Sequence, residues 1–259
     1  MPISSTLDAG VALLRLELGR GNAIDPAFIP ALHAALDEAA GAGARAVVLT
    51  GKGRVFCGGL DLVALDALDR AGMDRFLVDF DGLFRRLFAF ERPTVAAVNG
   101  HALAGGCILA MACDRRVMAA GPFQIGVNEV QIGLPFPAAA HEIVRRATPA
   151  EARSLVMLQG ARLSPEQAHA IGIVHRLAGE GGAVDAAMEE ARAFAAAGAE
   201  AVQAVKADLV ASAVAKIDAT AEAKRARFLD HWFGAEARAR LGALREGLLA
   251  KQGAKAAGA

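Results

Sequence analysis

A lone carboxylate marks one segment of the chain as a place for proton transfer. Glu129 is the single acid in the stretch GPFQIGVNEVQIGLPFPAAA, which runs from Gly121 to Ala140 and is otherwise apolar or neutral. Desolvation raises the pKa of a carboxyl group and makes its carboxylate a better proton acceptor near neutral pH. The segment therefore suits a general base, although a surface glutamate on a loop fits the same spacing.

Two glycine-rich turns have the composition to bind an oxyanion. In GKGRVFCGGLDL, Gly58 and Gly59 precede a predicted helix that begins at Leu60, and in VNGHALAGGCILAMACD, Gly105 and Gly106 open another predicted helix. The first amides of a helix have no intrahelical acceptor and point outward with the positive end of the helix dipole. Two such N–H groups aimed at one carbonyl oxygen are what enolate or tetrahedral chemistry requires. Either glycine pair alone is equally typical of a plain strand-to-helix turn.

Strand and helix patterns alternate through the first two thirds of the chain, which predicts an α/β fold with helices covering a mainly parallel sheet. A helix is predicted over 26–40, with Asp25 as its N-cap and Pro26 at its first position. Another is predicted over 73–90, where apolar residues recur at steps of three and four. The predicted strands are short, hold β-branched residues and cover 11–18, 45–50, 94–99, 116–119 and 173–177.

After about Gly179 the sequence becomes rich in alanine and charged residues, which predicts a C-terminal helical region. Trp232 and Phe233 are large apolar residues in this region. We expect them to dock either on the main domain or on another subunit.

Composition argues against several classes of function. The 28 basic and 28 acidic residues leave no net charge to attract nucleic acid, and charged residues and glycines interrupt every apolar run before it reaches membrane-spanning length. The three cysteines cannot all pair and the N-terminal segment resembles no targeting signal, so we expect a cytoplasmic protein. Dinucleotide, nucleoside triphosphate and metal-binding patterns are missing, and we expect no cofactor and no metal.

Taken together, the segments resemble the crotonase superfamily, also called the enoyl-CoA hydratase/isomerase family. The resemblance begins at GNAID near Asn22 and continues through VFCGGLDL and VNGHALAGGC into the C-terminal helices. It implies a crotonase-like α/β spiral of β-β-α units over residues 1–195 that carries an acyl-CoA site. It also implies a helical region over residues 196–259 that is used in trimerisation, giving a homotrimer or a dimer of trimers.

The resemblance assigns roles residue by residue. The two oxyanion-hole amides of the family fall on Leu60 and Gly105, and the backbone around Ala23 and Ile24 falls where the family holds the CoA thioester arm. Lys52 and Arg54 are candidates for binding the CoA phosphates, although two such residues are equally typical of exposed, solvated charges without a ligand. Further substrate contacts are expected from Gly59, Asp61, Gly106, Ile108, Pro135 and Phe136.

One departure from the family's hydratases bears on the reaction. The hydratases use two glutamates, of which the second falls on Glu129, whereas the first falls on Ile108, which cannot transfer a proton. A single acid suits a Δ3-to-Δ2 double-bond shift better than the addition of water, and GLDL, AGGC and IGVNEVQIG resemble the Δ3,Δ2-enoyl-CoA isomerases. Two alternatives stay open: a non-catalytic CoA-ester-binding or RNA-binding homologue, or a hydratase that recruits a second acid from among Asp61, Asp69, Asp74 and Glu142.

Overall fold

A computed structural model describes the backbone of residues 2–19 and 21–257 and, up to residue 247, their side chains. In these ranges the strands are β1 Ile3–Asp8, β2 Val11–Leu16, β3 Ala46–Gly51, β4 Val55–Cys57, β5 Thr94–Val98, β6 His101–Leu103, β7 Arg115–Ala119, β8 Ile125–Gly126 and β9 Arg176–Ala178. The α-helices are α1 Phe28–Gly41, α2 Leu62–Asp66, α3 Arg70–Phe88, α4 Gly105–Ala112, α5 Ala138–Ala147, α6 Pro165–Ala170, α7 Ala183–Ala196, α8 Ala199–Trp232 and α9 Ala235–Ala257.

The strands form two separate sheets. The larger sheet has the order β1-β2-β3-β5-β7-β9 and is parallel except for the β1/β2 hairpin, and the smaller one has the parallel order β4-β6-β8. The chain places one strand in the large sheet, the next in the small sheet, and then forms a helix, first with β3-β4-α2 and again with β5-β6-α4. This confirms the predicted α/β spiral of β-β-α units.

The small sheet brings the three chemically interesting segments together. The turn at residues 58–61 follows β4, Ala104 follows β6, and Glu129 lies shortly after β8. The carboxyl ends of parallel strands meet at one edge of a sheet, which is where ligands bind in open parallel sheets. The topology therefore collects these segments at a single edge.

The predicted elements are found with shifted ends. Strands β2 and β5 end at Leu16 and Val98, before the predicted ends. Helix α1 begins at Phe28, two residues after the predicted start at Pro26. The Asp25 carboxylate accepts the Phe28 amide at 2.8 Å, which is the N-cap bond predicted for Asp25. Strands β1, β4, β6 and β8 have no counterpart in the sequence prediction.

The core lies between the sheets and the helices. Helix α3 buries Met73, Phe76 and Phe84 along the face predicted by their spacing. The long helix α8 packs against α3 and α5, and Trp232 near its end is 1% exposed within the main hydrophobic core. Trp232 therefore docks on its own chain. Within the described residues, no helix has the length and apolarity to cross a membrane.

Candidate active site

A cavity of about 370 Å³ opens at the carboxyl edge of the small sheet, and we call it the site cavity. The predicted residues Leu60, Gly105, Ile108 and Glu129 all line it. The other lining residues are Gly58, Leu62, Phe76, Leu77, Phe80, Leu103, Ala104, Asn128, Ile132, Leu134, Pro137, Arg162, Phe228 and Leu244. Most of this wall is apolar, so a bound group in the cavity is held away from water.

The first turn is arranged so that the Leu60 amide is free to bind a ligand. Ile24 pairs with Leu60 as a short parallel bridge, in which the Ile24 N–H donates to Gly59 O at 2.7 Å and the Asp61 N–H donates to Ile24 O at 2.9 Å. Since the neighbours make these bonds, the Leu60 N–H points to the other side of the strand. Gly59 has a φ of +93°, and a Cβ there would lie 2.9 Å from Leu103 O, so glycine is required.

The second turn presents the Gly105 amide beside the first. Gly105 is the first residue of α4 and so has no intrahelical acceptor for its N–H. Ala104 before it has a φ of +48°, a strained value for a residue with a side chain, and its N–H donates to Gly126 O at 2.8 Å. A Cβ on Gly105 would lie 3.6 Å from Gly59 Cα, so the two turns touch. The turns that carry the Leu60 and Gly105 amides are therefore neighbours at the wall of the site cavity.

Glu129 is the buried carboxyl group of the cavity. It begins a short 3-10 helix, Glu129–Ile132, and is 7% exposed, and its Oε2 has no hydrogen-bond partner among the described residues. Burial raises its pKa from 4.5 to about 7, a bond from its own backbone opposing the rise. A carboxyl group with this pKa can both accept and return a proton near neutral pH.

No second acid lines the site cavity within the described part of the chain. Asp61 and Asp69 cap α2 and α3 by accepting amides, at 3.0 Å from Val63 and Ala64 and at 2.7 Å from Gly72. The Asp74 carboxylate pairs with Arg225 at 2.9 Å and that of Glu142 with Arg145 at 2.8 Å. The four candidates for a second acid are thus engaged elsewhere. The described residues also contain no group of three or more His, Cys, Asp or Glu placed to hold a metal ion.

Not every predicted contact reaches the cavity. Pro135 and Phe136 lie outside its lining, because the buried Phe136 packs into the hydrophobic core, while Leu134 and Pro137 of the same segment face the cavity. The start of α5 beyond Pro137 is fixed by Asp81, whose carboxylate accepts the Ala139 amide at 2.9 Å and the Ala138 amide at 3.3 Å.

The remaining predicted residues do not line the cavity. Ile24 positions the Leu60 turn through its backbone, and a Cβ on Gly106 would lie 2.0 Å from Cys57 O, so Gly106 permits close packing of α4 on β4. The Lys52 ammonium pairs with Glu17 at 2.8 Å, and the Arg54 guanidinium lies 5.2 Å from the ring centre of Phe123. Ala23 and Asp61 are partly buried beside the turns.

Sequence reasoning missed two polar residues and the covering helices. Asn128 and Arg162 line the cavity, as do Phe228 of α8 and Leu244 of α9. Asn128 stands beside Glu129 in the quoted VNEVQIG segment, so its position in the sequence was an available signal. Arg162 and the two helices are far from the motifs in sequence, and only the fold brings them to the site.

The chain is similar to known proteins in both sequence and structure. The sequence model of the family described as enoyl-CoA hydratase/isomerase matches residues 6–250. A Thermus thermophilus protein described as an enoyl-CoA hydratase is 39% identical over 180 residues, which cover 68% of this chain and 69% of that protein.

Two solved structures are similar over most of the chain. Human mitochondrial Δ3-Δ2-enoyl-CoA isomerase has a TM-score of 0.92 and 25% identity and covers 97% of this chain and 99% of its own. An enoyl-CoA isomerase of Mycobacterium tuberculosis in its apo form has a TM-score of 0.81 and 35% identity and covers 88% of this chain and 99% of its own. Hydratase names outnumber isomerase names among the relatives. Several sequence alignments span only about half of the relative's length, for example 48% of a human mitochondrial protein.

Proposed function

We propose an isomerase reaction for this chain, which belongs to the enoyl-CoA hydratase/isomerase family and is an enzyme of that family. The substrate is a 3-enoyl-CoA thioester and the product is the 2-enoyl-CoA thioester. The observation that supports the proposal is the pair of residues on the cavity wall: Glu129 supplies a buried carboxyl group, and Ile108, 2% exposed, supplies none. The resemblance to the family matches Ile108 to the first glutamate of the hydratases.

The proposed mechanism uses one carboxyl group twice. Glu129 takes a proton from C2 of the 3-enoyl thioester, and the electron pair moves onto the thioester oxygen to give a dienolate. The amides of Leu60 and Gly105 bind this oxygen, an interaction for which each donor contributes about 2.7–4 kcal/mol in enzymes of comparable design. Glu129 then returns the proton to C4, the double bond moves to C2–C3, and the carboxylate is regenerated.

The acidity of Glu129 supports both halves of this cycle. A carboxyl group with a pKa of about 7 is a stronger base than an ordinary glutamate and remains acidic enough to donate a proton near neutral pH. The apolar wall supports the reaction as well, because it disfavours water that would trap the proton or add to the chain.

Hydration is the alternative that the names of the relatives favour. In the hydratases that this chain resembles, two carboxyl groups share the proton transfers that add water. The described lining of this cavity contains one carboxyl group, that of Glu129. We therefore favour isomerisation.

The direct test replaces the base while keeping its shape. We expect Glu129→Gln to lower the rate of 3-enoyl-CoA conversion, followed by the absorbance of the conjugated product, by about 10³-fold or more. The dissociation constant of a saturated acyl-CoA should change little, because the amide occupies the same space. Glu142→Gln is the matched control, since Glu142 is buried outside the cavity. Unchanged turnover in Glu129→Gln would refute the proposed role.

We also propose that the CoA phosphates lie near Lys52 and Arg54, at the entrance to the loop that carries Leu60. The side chain of Lys52 is 67% exposed, which supports access to a phosphate after its pair with Glu17 opens. We expect Lys52→Ala to weaken binding of CoA thioesters several-fold without changing the maximal rate, and titration of CoA itself checks this.

The oligomeric proposal is a homotrimer or a dimer of trimers, with the oligomerisation surface in residues 196–259. It is supported by a groove of about 660 Å³ beside α8, where Val205 is 58% exposed and Leu209 is 57% exposed. Solvent-exposed apolar residues clustered in a groove are typical of subunit interfaces. Sedimentation should give the mass of three or six chains, and Leu209→Glu should lower it. A cytoplasmic location stays a prediction from the sequence.

A further inference from the structure

Asp81 is a buried carboxyl group that the proposed mechanism does not use. It lies on α3 and is 8% exposed, next to Phe80, which lines the site cavity. Its carboxylate accepts the backbone N–H of Ala139 at 2.9 Å and that of Ala138 at 3.3 Å, both in the first turn of α5. Asp81 therefore connects two helices at the border of the cavity.

Helix α5 has no acceptor of its own for these amides. Its N-cap residue is Pro137, which has no polar side chain, and its first turn contains no acidic residue. The first amides of a helix need an acceptor from outside the helix, and a carboxylate there also interacts favourably with the positive end of the helix dipole. Asp81 provides this cap from a neighbouring helix.

The capped turn is continuous with the wall of the site cavity. Leu134 and Pro137, which lead into α5, line the cavity together with Phe80 of α3. Leu134 is also joined to the segment of the proposed base, because its N–H donates to Glu129 O at 3.0 Å. A displacement of the start of α5 from α3 would therefore change the shape of this wall.

We propose that Asp81 is a positioning residue whose carboxylate holds the start of α5 against α3 and so shapes the wall that receives the acyl chain. This inference rests on the proposed function for the identity of the ligand. The carboxylate accepts both amides, whereas protonation turns one oxygen into a hydroxyl donor and removes the charge at the helix N-terminus. Protonation of Asp81 should therefore weaken the binding of the acyl chain.

The acidity of Asp81 places this change near neutral pH. Burial raises the pKa of Asp81 from 3.8 to about 6, and the hydrogen bonds from Ala139 and Ala138 oppose the rise. The folded state then binds more protons than the unfolded chain between these two values, so ionisation of Asp81 lowers the stability of the fold as the pH rises through them. The ionised side chain does not stabilise the fold, which favours a role in the site.

Other charged groups on the helices that pack against α3 are common to every variant compared below. Lys224 and Arg225 of α8 lower the pKa of Asp81, and α4 has no charged side chain. The other groups are His141, Glu142 and Arg145, which interact with one another on α5, and His33 and Asp37 of α1, which contact Arg86. A ratio of wild type to Asp81→Asn therefore isolates the titration of Asp81.

Calorimetric titration with hexanoyl-CoA and with CoA itself tests the proposal. The proteins are the wild type, Asp81→Asn and the matched control Asp79→Asn, since Asp79 is an exposed aspartate of the same helix. At about pH 8, Asp81→Asn should bind hexanoyl-CoA about two- to tenfold more weakly than the wild type, the contribution of one hydrogen bond. This ratio should approach one at about pH 5, where Asp81 of the wild type is itself protonated. CoA should bind all three proteins equally.

Two results would overturn the proposal: a ratio for hexanoyl-CoA that does not change with pH, or an equal loss of affinity for hexanoyl-CoA and CoA. The second result would indicate that Asp81 affects the part of the site that holds CoA. A saturated thioester cannot isomerise, so a failed isomerase assay would leave this comparison interpretable. Failure of the wild type to bind either ligand would instead refute the proposed acyl-CoA function, and this inference with it.

Urea unfolding, followed by the fluorescence of Trp232, separates positioning from a loss of the fold. The unfolding free energy of Asp81→Asn relative to the wild type should rise between about pH 5 and pH 8, because asparagine removes a buried charge. The relative affinity for hexanoyl-CoA should fall over the same interval. If the variant binds weakly only because it unfolds, the two quantities will fall together, and that result would contradict the proposal.

Discussion

Glu129→Gln should stabilise the protein, and the gain should depend on pH. Burial raises the pKa of Glu129 from 4.5 to about 7, so the folded protein holds a proton on this group that the unfolded chain releases at lower pH. The folded state then binds more protons than the unfolded state between these two values, and its stability falls as the pH rises through them. Glutamine keeps the shape of the side chain and removes the charge.

The size of the effect follows from the two pKa values. Their separation corresponds to about 3 kcal/mol of unfolding free energy in full. About 2 kcal/mol of this should develop between about pH 5.5 and pH 8. The unfolding free energy of Glu129→Gln should therefore exceed that of the wild type, and the difference should grow by about 2 kcal/mol between about pH 5.5 and pH 8.

Urea unfolding at several pH values measures the margin. The single tryptophan, Trp232, is 1% exposed and gives a fluorescence signal for loss of the core. Glu142→Gln is the control and should lower the unfolding free energy, because it weakens the ion pair with Arg145. A margin that does not change with pH, or one that grows as the pH falls, would refute the assignment of Glu129 as a desolvated acid.

Three further outcomes follow from the site. The rate at low substrate concentration should rise with pH and level off above a midpoint of about 7, where Glu129 becomes ionised, and a profile that is flat from about pH 5 to 9 would contradict a base with this pKa. Ile108→Glu should introduce measurable hydration of 2-enoyl-CoA, detected as 3-hydroxyacyl-CoA by mass, whereas a folded variant without hydration would mean that this position does not face the reacting carbons. Gly106→Ala should lower the unfolding free energy by about 3 kcal/mol or more, because its Cβ would lie 2.0 Å from Cys57 O, and an unchanged urea midpoint would show that the backbone yields.

The sequence predicts every strand of the large sheet except β1, and it predicts the order of the site segments, because strands such as β3 and β5 hold β-branched residues and are bounded by turns. It fails for the small sheet. Strands β4, β6 and β8 have two or three residues each, too few for any periodicity, and they are recognised only when parallel pairing is seen. The edge that gathers the site is thus a product of topology.

The site likewise contains residues that local sequence predicts and residues that only the fold brings to the cavity. Glu129 and the two glycine-rich turns are signalled by local chemistry, an acid in an apolar segment and glycines before a predicted helix. The family resemblance picks out Leu60 and Gly105 within those turns, and all three residues line the cavity. Phe136 is also predicted from its local segment, yet its side chain packs into the core. A short segment of sequence does not indicate which of its side chains face a cavity. Leu244 reaches the site from α9 through the docking of a distant helix.

The most direct test of the central claim offers the purified protein 3-enoyl-CoA and 2-enoyl-CoA in parallel, in water enriched in heavy oxygen. The claim is that one carboxyl group, Glu129, moves a proton along the chain without adding water. We expect 3-enoyl-CoA to become 2-enoyl-CoA with no change in mass, and 2-enoyl-CoA to gain labelled oxygen far more slowly. Rapid incorporation of labelled oxygen into a 3-hydroxyacyl-CoA would contradict the claim and identify a hydratase.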